Sequence, residues 1–295
     1  MMTTPTEKNV HAVAIDGTFD DCQALVKGMF NDHAFRDRVG LSGVNSINWA
    51  RIVAQVTYYF AAAAQLGAPQ KSVSFAVPTG NFGDIFAGYV AKRMGLPIKQ
   101  LIIASNENDI LPRTLATGSY EMRGVVATSS PSMDIQISSN FERYLFEASG
   151  RDASLIRGFM TGLARNRRFT LGPLWDTLKA DFAASAATET DVANCIRDTE
   201  KRYGYLLDPH TACGVVAADR MRASGEIVVL STAHPAKFPD ALETITGERP
   251  ALPERLSHLL TDTERFDHLP NDLAAVEAYV EKTARAVRSA DKRPA

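Results

Sequence analysis

The segment SVSFAVPTGNFGD, at residues 72–84, decides the fold of this chain. Its apolar beginning, residues 72–77, predicts a buried strand, and the helical pattern of residues 84–94 follows directly. Gly80 and Gly83 allow the backbone to turn tightly between the strand and the helix. Backbone N–H groups in such a turn, together with the positive end of the helix, suit an anion such as phosphate. A purely structural turn is the alternative interpretation.

Familiar nucleotide-binding motifs do not fit this turn. In a P-loop, a lysine and a serine or threonine follow the last glycine, whereas this chain has Asp84 and Ile85 there. The spacing of the glycines also differs from the GxGxxG of dinucleotide-binding proteins. The turn therefore indicates an anion site and gives little support to a nucleotide site.

Short apolar runs alternate with longer helical patterns on both sides of this segment. Each helix between strands is about as long as a parallel crossover requires, and beyond residue 150 the pattern is mainly helical. These features predict an α/β fold with a doubly wound, mainly parallel sheet. The predicted strands are residues 10–15, 72–77, 100–104 and 226–230, and the predicted helices are residues 19–32, 46–66, 84–94, 189–203, 212–224, 237–246 and 271–288.

The composition excludes several classes of protein. Of the 295 residues 45% are hydrophobic, and 32 basic side chains nearly balance 34 acidic ones, so neither global disorder nor nucleic-acid binding is indicated. Cys22, Cys195 and Cys213 have no CxxC spacing, so we predict neither a metal site nor a disulfide framework. The longest apolar run, residues 52–66, is too short to span a bilayer, and the amino terminus has no secretory signal. We expect a soluble, cytoplasmic protein without membrane or nucleic-acid partners.

The segment STAHPAKF, residues 231–238, follows the predicted strand 226–230. Because the carboxyl ends of parallel strands meet at one edge of a sheet, Thr232 and His234 would lie at the same edge as the glycine turn. Ligands bind at that edge in open α/β sheets. The alternative is that Ser231 or Thr232 caps the following helix.

The segments NSINWAR, residues 45–51, and DPHTA, residues 208–212, each allow a structural and a functional interpretation. Ser46 is a candidate cap for the long helix, while Asn48 and Arg51 share a helix face from which they would reach an anionic substrate. We predict that Ser46, Asn48 and Arg51 lie near the anionic groups of the substrate. In the second segment Asp208 or Thr211 is a candidate cap, with His210 a loop residue.

Taken together, the segments of this chain resemble threonine synthases, which use pyridoxal phosphate and have a fold of the tryptophan-synthase-β type. The order and spacing of these segments are more specific than any segment alone. They are GTFDDCQ (17–23), VNSINWARI (44–52), PTGNFGDIFAGYVAKRMGLP (78–97), NENDIL (106–111), SPSMDIQISSNFER (130–143), DPHTA (208–212) and STAHPAKF (231–238).

The resemblance implies a role for the glycine turn and for Thr232. Thr232 would hydrogen-bond the pyridine nitrogen of the cofactor, and a hydroxyl there, unlike a carboxylate, does not favour a protonated ring. The implied phosphate cradle consists of Gly80, Asn81, Phe82, Gly83 and Asp84. The implied reaction converts O-phospho-L-homoserine and water to L-threonine and phosphate, the last step of threonine biosynthesis, as a carbon–oxygen lyase acting on phosphate.

The chain departs from the family in one respect. Family members carry an upstream segment of well over a hundred residues, whose Ser/Ala-Phe-Lys-Asp type of motif contains the Schiff-base lysine. That motif does not occur here, and the lysines at 71, 92, 99 and 237 fall in segments that match elsewhere. We therefore expect a fold incomplete at the N-terminus, no catalytic lysine and no activity of this chain alone.

The resemblance also implies a division of the chain and leaves other functions open. The expected parts are residues 1–44 as the remainder of a small domain, residues 45–250 as the cofactor-binding domain, and residues 251–295 as a helical extension with a charged tail. The alternative function is a non-catalytic remnant that binds the cofactor or phosphate. A different reaction of the same fold, such as that of threonine dehydratase or cysteine synthase, fits the long motifs less well. The sequence predicts no oligomeric state.

Overall fold

A sheet of 4 parallel strands lies at the centre of the computed structural model, which describes residues 2–17, 19–221 and 225–285. The strands of the described residues are β1 (Val13–Ile15), β2 (Val73–Pro78), β3 (Ile98–Ser105), β4 (Ser119–Glu121), β5 (Arg168–Thr170), β6 (Phe182–Ala186), β7 (Ile227–Val229) and β8 (Asp267–Leu269). In the central sheet the order is β6–β3–β2–β7, and every pair is parallel. The structure therefore confirms the predicted α/β fold.

The described residues contain 12 α-helices. They are α1 (Phe19–Asn31), α2 (His33–Val39), α3 (Trp49–Gln65), α4 (Gly83–Arg93), α5 (Ile110–Thr117), α6 (Phe141–Ala148), α7 (Ala153–Asn166), α8 (Leu174–Asp181), α9 (Glu189–Tyr203), α10 (Pro209–Met221), α11 (Pro239–Thr246) and α12 (Leu273–Thr283). Short 3₁₀ helices cover Pro131–Met133, Pro235–Lys237 and Glu254–Leu260. None of the helices in the described ranges is both long and apolar enough to cross a membrane.

Helices cover both faces of the central sheet. Phe75 and Val77 of β2 join the core cluster formed with α3 and α4, whereas Ala76 between them joins the cluster that contains Ala217 of α10. This alternation follows from the strand period of 2, which directs successive side chains to opposite faces. Gly214 lets α10 approach this second face closely, because a Cβ on Gly214 would lie 2.7 Å from Val229 of β7. The sheet is therefore doubly wound.

The described chain forms two compact units. The larger one, Val44–Ala251, contains the central sheet and a short antiparallel pair of β4 and β5. The smaller one combines the residues up to Gly43 with those from Leu252 onward. In it β1 pairs in parallel with β8, and Leu25, Phe35 and Val276 belong to one apolar core. The division into residues 1–44, 45–250 and 251–295 stays a prediction.

Beyond residue 150 the described chain is mainly helical, as predicted, but it also contains three strands that were not predicted, namely β5, β6 and β8. β5 pairs with β4, and β6, with the sequence FAASA, pairs along its whole length with β3. Alanine has a low intrinsic preference for strands, so no local pattern marks β6, and its pairing with the buried strand β3 outweighs that preference. The sequence pattern also did not predict β4 or the helices α2, α5, α6, α7 and α8. β1 begins at Val13 rather than at residue 10, and predicted helix residues 222–224 and 286–288 lie outside the described residues.

Gly88 places α4 against α3 at a distance that no other residue allows. A Cβ on Gly88 would lie 2.6 Å from the ring of Tyr59 and 2.9 Å from Leu101. Tyr59 is fully buried, and its hydroxyl donates a hydrogen bond of 2.8 Å to the backbone oxygen of Asp84, so the ring has no room to move.

We expect Gly88→Ala to lower the free energy of unfolding by about 1–3 kcal/mol, the usual cost of overpacking a core. Gly158→Ala is the matched control, because Gly158 also lies inside a helix but a Cβ there would meet no atom within 4 Å. That change should stabilise the chain by up to about 1 kcal/mol. Urea unfolding of both variants measures the difference, and equal stabilities would contradict the packing described for Gly88.

Candidate functional site

A cleft of about 140 Å³ opens where β2 ends and α4 begins. The glycine turn forms one side of it, and polar residues of α3 and of the loop before α3 form the other. The lining residues are Ser46, Arg51, Gln55, Pro78, Thr79, Gly80, Asn81, Phe82, Gly83, Asp84 and Ile85. The cleft lies at the carboxyl edge of the parallel sheet, where the sequence predicts it.

The backbone of the glycine turn presents donors to the cleft. The N–H groups of residues 80–85 have no hydrogen-bond acceptor among the residues that the structure describes, and no side chain caps α4. Phe82 holds the turn in place at a φ of 61°, in the left-handed region, while its ring packs against Phe141 and Phe182 at 5.2 and 5.4 Å. A strained backbone of this kind occurs often at functional sites. The donors and the helix end together suit an anion.

The two glycines of the turn are required for different reasons. A Cβ on Gly80 would lie 2.6 Å from the backbone oxygen of Ser132, so the protein itself excludes a side chain there. A Cβ on Gly83 would meet no atom closer than 3.5 Å, the distance to Asn140 Nδ2, and would lie within 4 Å of Ser46 and Gln55, which line the cleft. Gly83 thus keeps the cleft open, and Gly80 keeps the turn against residue 132.

Asp84 contributes a backbone donor to the cleft and keeps its carboxyl group beside α3. The Tyr59 hydroxyl lies 3.3 Å from the Asp84 Oδ1 atom. Burial raises the pKa of Asp84 to about 6 and outweighs the lowering effect of the hydrogen bond from Tyr59. An anion in the cleft would therefore meet an acid that loses its proton less readily than an exposed aspartate.

Among the residues predicted near the substrate, the structure brings Ser46 and Arg51 into the cleft. Asn48 instead caps α3, because its Oδ1 atom accepts a hydrogen bond of 2.8 Å from the backbone N–H of Ala50. The interpretation of Ser46 as the cap is therefore wrong. Arg51 donates one hydrogen bond, of 3.0 Å, to the backbone oxygen of Val44.

Gln55 was not predicted from the sequence, although it lines the cleft one helical turn after Arg51. Its side chain has no hydrogen-bond partner within the described part of the chain. The spacing of four residues from Arg51 is the signal that identifies it, because residues four apart share a helix face.

Thr232 lies in the loop after β7, at the carboxyl end of a strand adjacent to β2. It is exposed, its backbone N–H donates to Thr211 Oγ1 at 3.3 Å, and its hydroxyl has no partner among the described residues. The alternative that Ser231 or Thr232 caps the next helix is wrong, since His234 caps the 3₁₀ turn and Phe238 precedes α11. The Thr232 hydroxyl is thus available to a ligand.

The DPHTA segment is buried at the start of α10. Asp208 caps this helix, because its Oδ1 atom accepts from the backbone N–H groups of His210 and Thr211 at 2.9 and 3.4 Å. Burial opposes ionisation of Asp208, but hydrogen bonds from His210 and Thr211 lower its pKa below the ordinary value.

No lysine lines the cleft formed by the described residues. Lys92 lies 3.4 Å from Asp181, and Lys237 lies over the ring of Phe238. In the described ranges no group of three or more His, Cys, Asp or Glu side chains is arranged to hold a metal ion.

Comparison with known proteins gives one consistent family. The family model described as "Threonine synthase, C-terminal" matches residues 211–280. The chain is 47% identical to the threonine synthase of Pseudomonas aeruginosa over 95% of its own length and 60% of that protein. It is 43% identical to the threonine synthase of Saccharomyces cerevisiae, again over 95% of its own length and 60% of that protein.

A solved structure extends the similarity to the fold. The crystal structure of a threonine synthase from Brucella melitensis, determined with pyridoxal phosphate bound, superposes with a TM-score of 0.92 and 59% identity. The match covers 96% of this chain and 62% of that one. In sequence and fold the chain is therefore similar to the threonine synthases, and it spans about 60% of the length of these relatives.

Proposed function

We propose that this chain is the carboxyl-terminal part of a threonine synthase and that its cleft holds the phosphate group of pyridoxal phosphate. The observation that carries this proposal is the row of backbone N–H groups at residues 80–85, for which the described residues supply no acceptor. The proposed identity of the anion comes from the similarity to threonine synthases, because the structure of one relative was determined with pyridoxal phosphate bound.

The residues present fit this cofactor. The cleft lacks a side chain at Gly83, where a Cβ would lie within 4 Å of Ser46 and Gln55, and its donors suit a phosphate dianion. At the same sheet edge the Thr232 hydroxyl is available as a neutral partner for the pyridine nitrogen. When bound, pyridoxal phosphate would supply an electron sink for the negative charge that develops at the substrate carbons.

The other cleft residues bind the substrate in this proposal. Arg51 and Ser46 lie opposite the glycine turn and would take the anionic groups of O-phospho-L-homoserine, Arg51 by charge-assisted hydrogen bonds. Asn48 would act through its cap, which fixes the start of α3 and hence the position of Arg51. The substrate would lose a proton at the α-carbon and then at the β-carbon and release phosphate from the γ-carbon. Protonation of the γ-carbon, addition of hydroxide from water at the β-carbon and return of a proton to the α-carbon would complete threonine, with the remaining proton of the water going to the released phosphate. The proposed site of this reaction is the cytoplasm.

We expect Arg51→Ala to raise the KM for O-phospho-L-homoserine about ten- to a hundredfold, the usual effect of a lost charge-assisted hydrogen bond. The measurement uses a complete enzyme that contains these 295 residues. Arg157→Ala, on α7, is the control, because Arg157 does not line the cleft. An unchanged KM accompanied by lower thermal stability would assign Arg51 a purely structural role.

The alternative function is that of a non-catalytic remnant that binds the cofactor or phosphate. Measurements of binding and of turnover together distinguish such a remnant from part of an enzyme. Titration of the chain with pyridoxal phosphate, followed by ³¹P NMR, tests the first requirement, and inorganic phosphate should compete for the same cleft. A chain that binds neither would overturn the proposed function. If the chain binds pyridoxal phosphate but forms no threonine even after an amino-terminal segment is supplied, the result would favour the remnant.

A further inference from the structure

We propose that His210, together with Asp208 and Thr211, is a positioning residue that fixes Thr232 relative to the glycine turn. This inference rests on the proposed function, in which Thr232 contacts the pyridine nitrogen and the glycine turn contacts the phosphate of one cofactor. The two contacts come from separate segments, so something must set the distance between them. A set of hydrogen bonds, completed by one packing contact, connects these segments.

The first part of this connection joins Thr232 to Asp208. The backbone N–H of Thr232 donates to Thr211 Oγ1 at 3.3 Å, and the Thr211 hydroxyl donates its own proton to Asp208 Oδ2. The Thr211 oxygen thus serves as donor and acceptor at once, which a hydroxyl can do. Asp208 is 1% exposed and Thr211 is 3% exposed, so water does not compete for these bonds.

The second part joins Asp208 to Ser132 through the ring of His210. His210 Nδ1 lies 3.2 Å from Asp208 Oδ1, and His210 Nε2 accepts a hydrogen bond of 3.2 Å from the backbone N–H of Ser132. Since Asp208 accepts and Ser132 donates, only the neutral ring with its proton on Nδ1 satisfies both. The ring of Phe238 packs on His210 at 4.7 Å and holds its orientation.

The last part joins Ser132 to the glycine turn by direct packing. The backbone oxygen of Ser132 occupies the space that a Cβ on Gly80 would need, at 2.6 Å from that position. Movement of Ser132 would therefore move Gly80 or leave a gap beside it. The connection runs from Thr232 through Thr211, Asp208, His210 and Ser132 to Gly80.

A capping role alone does not account for this arrangement. Capping of α10 needs only the Asp208 carboxylate and the N–H groups of residues 210 and 211. The bond from Ser132 to His210, across 78 residues of sequence, adds nothing to the helix cap. The bond from Thr232 to Thr211 likewise joins a different segment.

The matched pair Thr211→Val and Thr211→Ser tests the first part. Valine has nearly the shape of threonine but no hydroxyl, whereas serine keeps it. We expect Thr211→Val to weaken binding of pyridoxal phosphate about tenfold and to leave binding of inorganic phosphate, which needs only the glycine turn, within about twofold. Thr211→Ser should match the unaltered chain. Equal pyridoxal phosphate affinities for both variants would overturn this part of the proposal.

The pair His210→Asn and His210→Gln tests the second part. An asparagine amide can replace the Nδ1 donor toward Asp208 but does not reach Ser132, whereas a glutamine amide oxygen can replace the Nε2 acceptor. We expect His210→Asn to weaken binding of inorganic phosphate severalfold and His210→Gln to retain it. The reverse order, or no difference, would overturn the link to Gly80.

The tautomer of His210 gives a readout that needs no cofactor. In ¹⁵N NMR spectra we expect a protonated Nδ1 and an unprotonated Nε2 for this ring, assigned among the 6 histidines by its loss in His210→Gln. A proton on Nε2 at neutral pH would contradict the network. An unaltered chain that binds neither phosphate nor pyridoxal phosphate would overturn the proposed function, and the tautomer would then decide the network by itself.

Discussion

Replacement of Gly83 by leucine should abolish phosphate binding while the chain stays folded. A Cβ at this position meets no protein atom closer than 3.5 Å, and Gly83 lines the cleft with Ser46 and Gln55, so we expect a leucine side chain to occupy the cleft of about 140 Å³. An anion would then lose several hydrogen bonds to the backbone, each worth about 1.5–3 kcal/mol when the acceptor is charged. We expect the affinity for pyridoxal phosphate and for inorganic phosphate to fall by about a hundredfold or more.

Gly80→Ala is the informative contrast to this variant. Its Cβ would clash with the backbone oxygen of Ser132 at 2.6 Å, so we expect a loss of stability first and weaker binding as a consequence. Gly83 opens α4, where leucine has a better helix propensity than glycine, so Gly83→Leu should unfold at the same urea concentration as the unaltered chain or a higher one. Calorimetric titration together with urea unfolding separates the two variants. Unchanged phosphate affinity in Gly83→Leu would refute the assignment of the cleft.

The strand, turn and helix at residues 72–94 were predictable because the information is local. An apolar run of strand length, two glycines and a helical pattern lie next to one another, and the structure confirms β2 and α4 within one residue of the prediction at each end. The glycine turn could also be placed at the carboxyl edge of the sheet, since that follows from parallel topology.

The start of α3 shows where local information is ambiguous. Ser46 and Asn48 are both good capping residues. Which of them caps the helix depends on where the helix begins, and hence on which backbone N–H groups of the first turn have no acceptor within the helix. In the structure Asn48 accepts from Ala50, and Ser46 is left to line the cleft. A sequence pattern with two possible caps therefore predicts the helix but not the identity of the cap.

The connections across the candidate site could not be predicted from the sequence. β6 has no local strand signal and is defined by its neighbour β3. The bond between Ser132 and His210 joins residues 78 apart, and no spacing or composition indicates it. DPHTA was recognisable as a candidate cap, yet its role toward Thr232 depends on tertiary contacts.

The second prediction with a large expected effect concerns threonine formation by the chain alone. We expect these 295 residues, purified by themselves, to form no threonine from O-phospho-L-homoserine when pyridoxal phosphate is added. Pyridoxal phosphate chemistry needs an amine that holds the cofactor covalently, yields it to the substrate and moves protons at the substrate carbons. Among the residues that line the cleft none is a lysine, and neither the backbone donors nor the Thr232 hydroxyl can replace an amine.

Loss of a group that is both covalent anchor and acid/base should cost far more than the roughly 10²–10⁴-fold of a single acid/base contribution. Addition of the amino-terminal segment of the threonine synthase from Pseudomonas aeruginosa, fused or as a separate chain, should restore threonine formation and the absorbance of a lysine-bound cofactor. The same segment with its lysine replaced by alanine is the control, because it should restore neither although it supplies the same surface. Threonine formation by the 295 residues alone would show that one of their own lysines supplies the amine, and mutation of each lysine in turn would identify it.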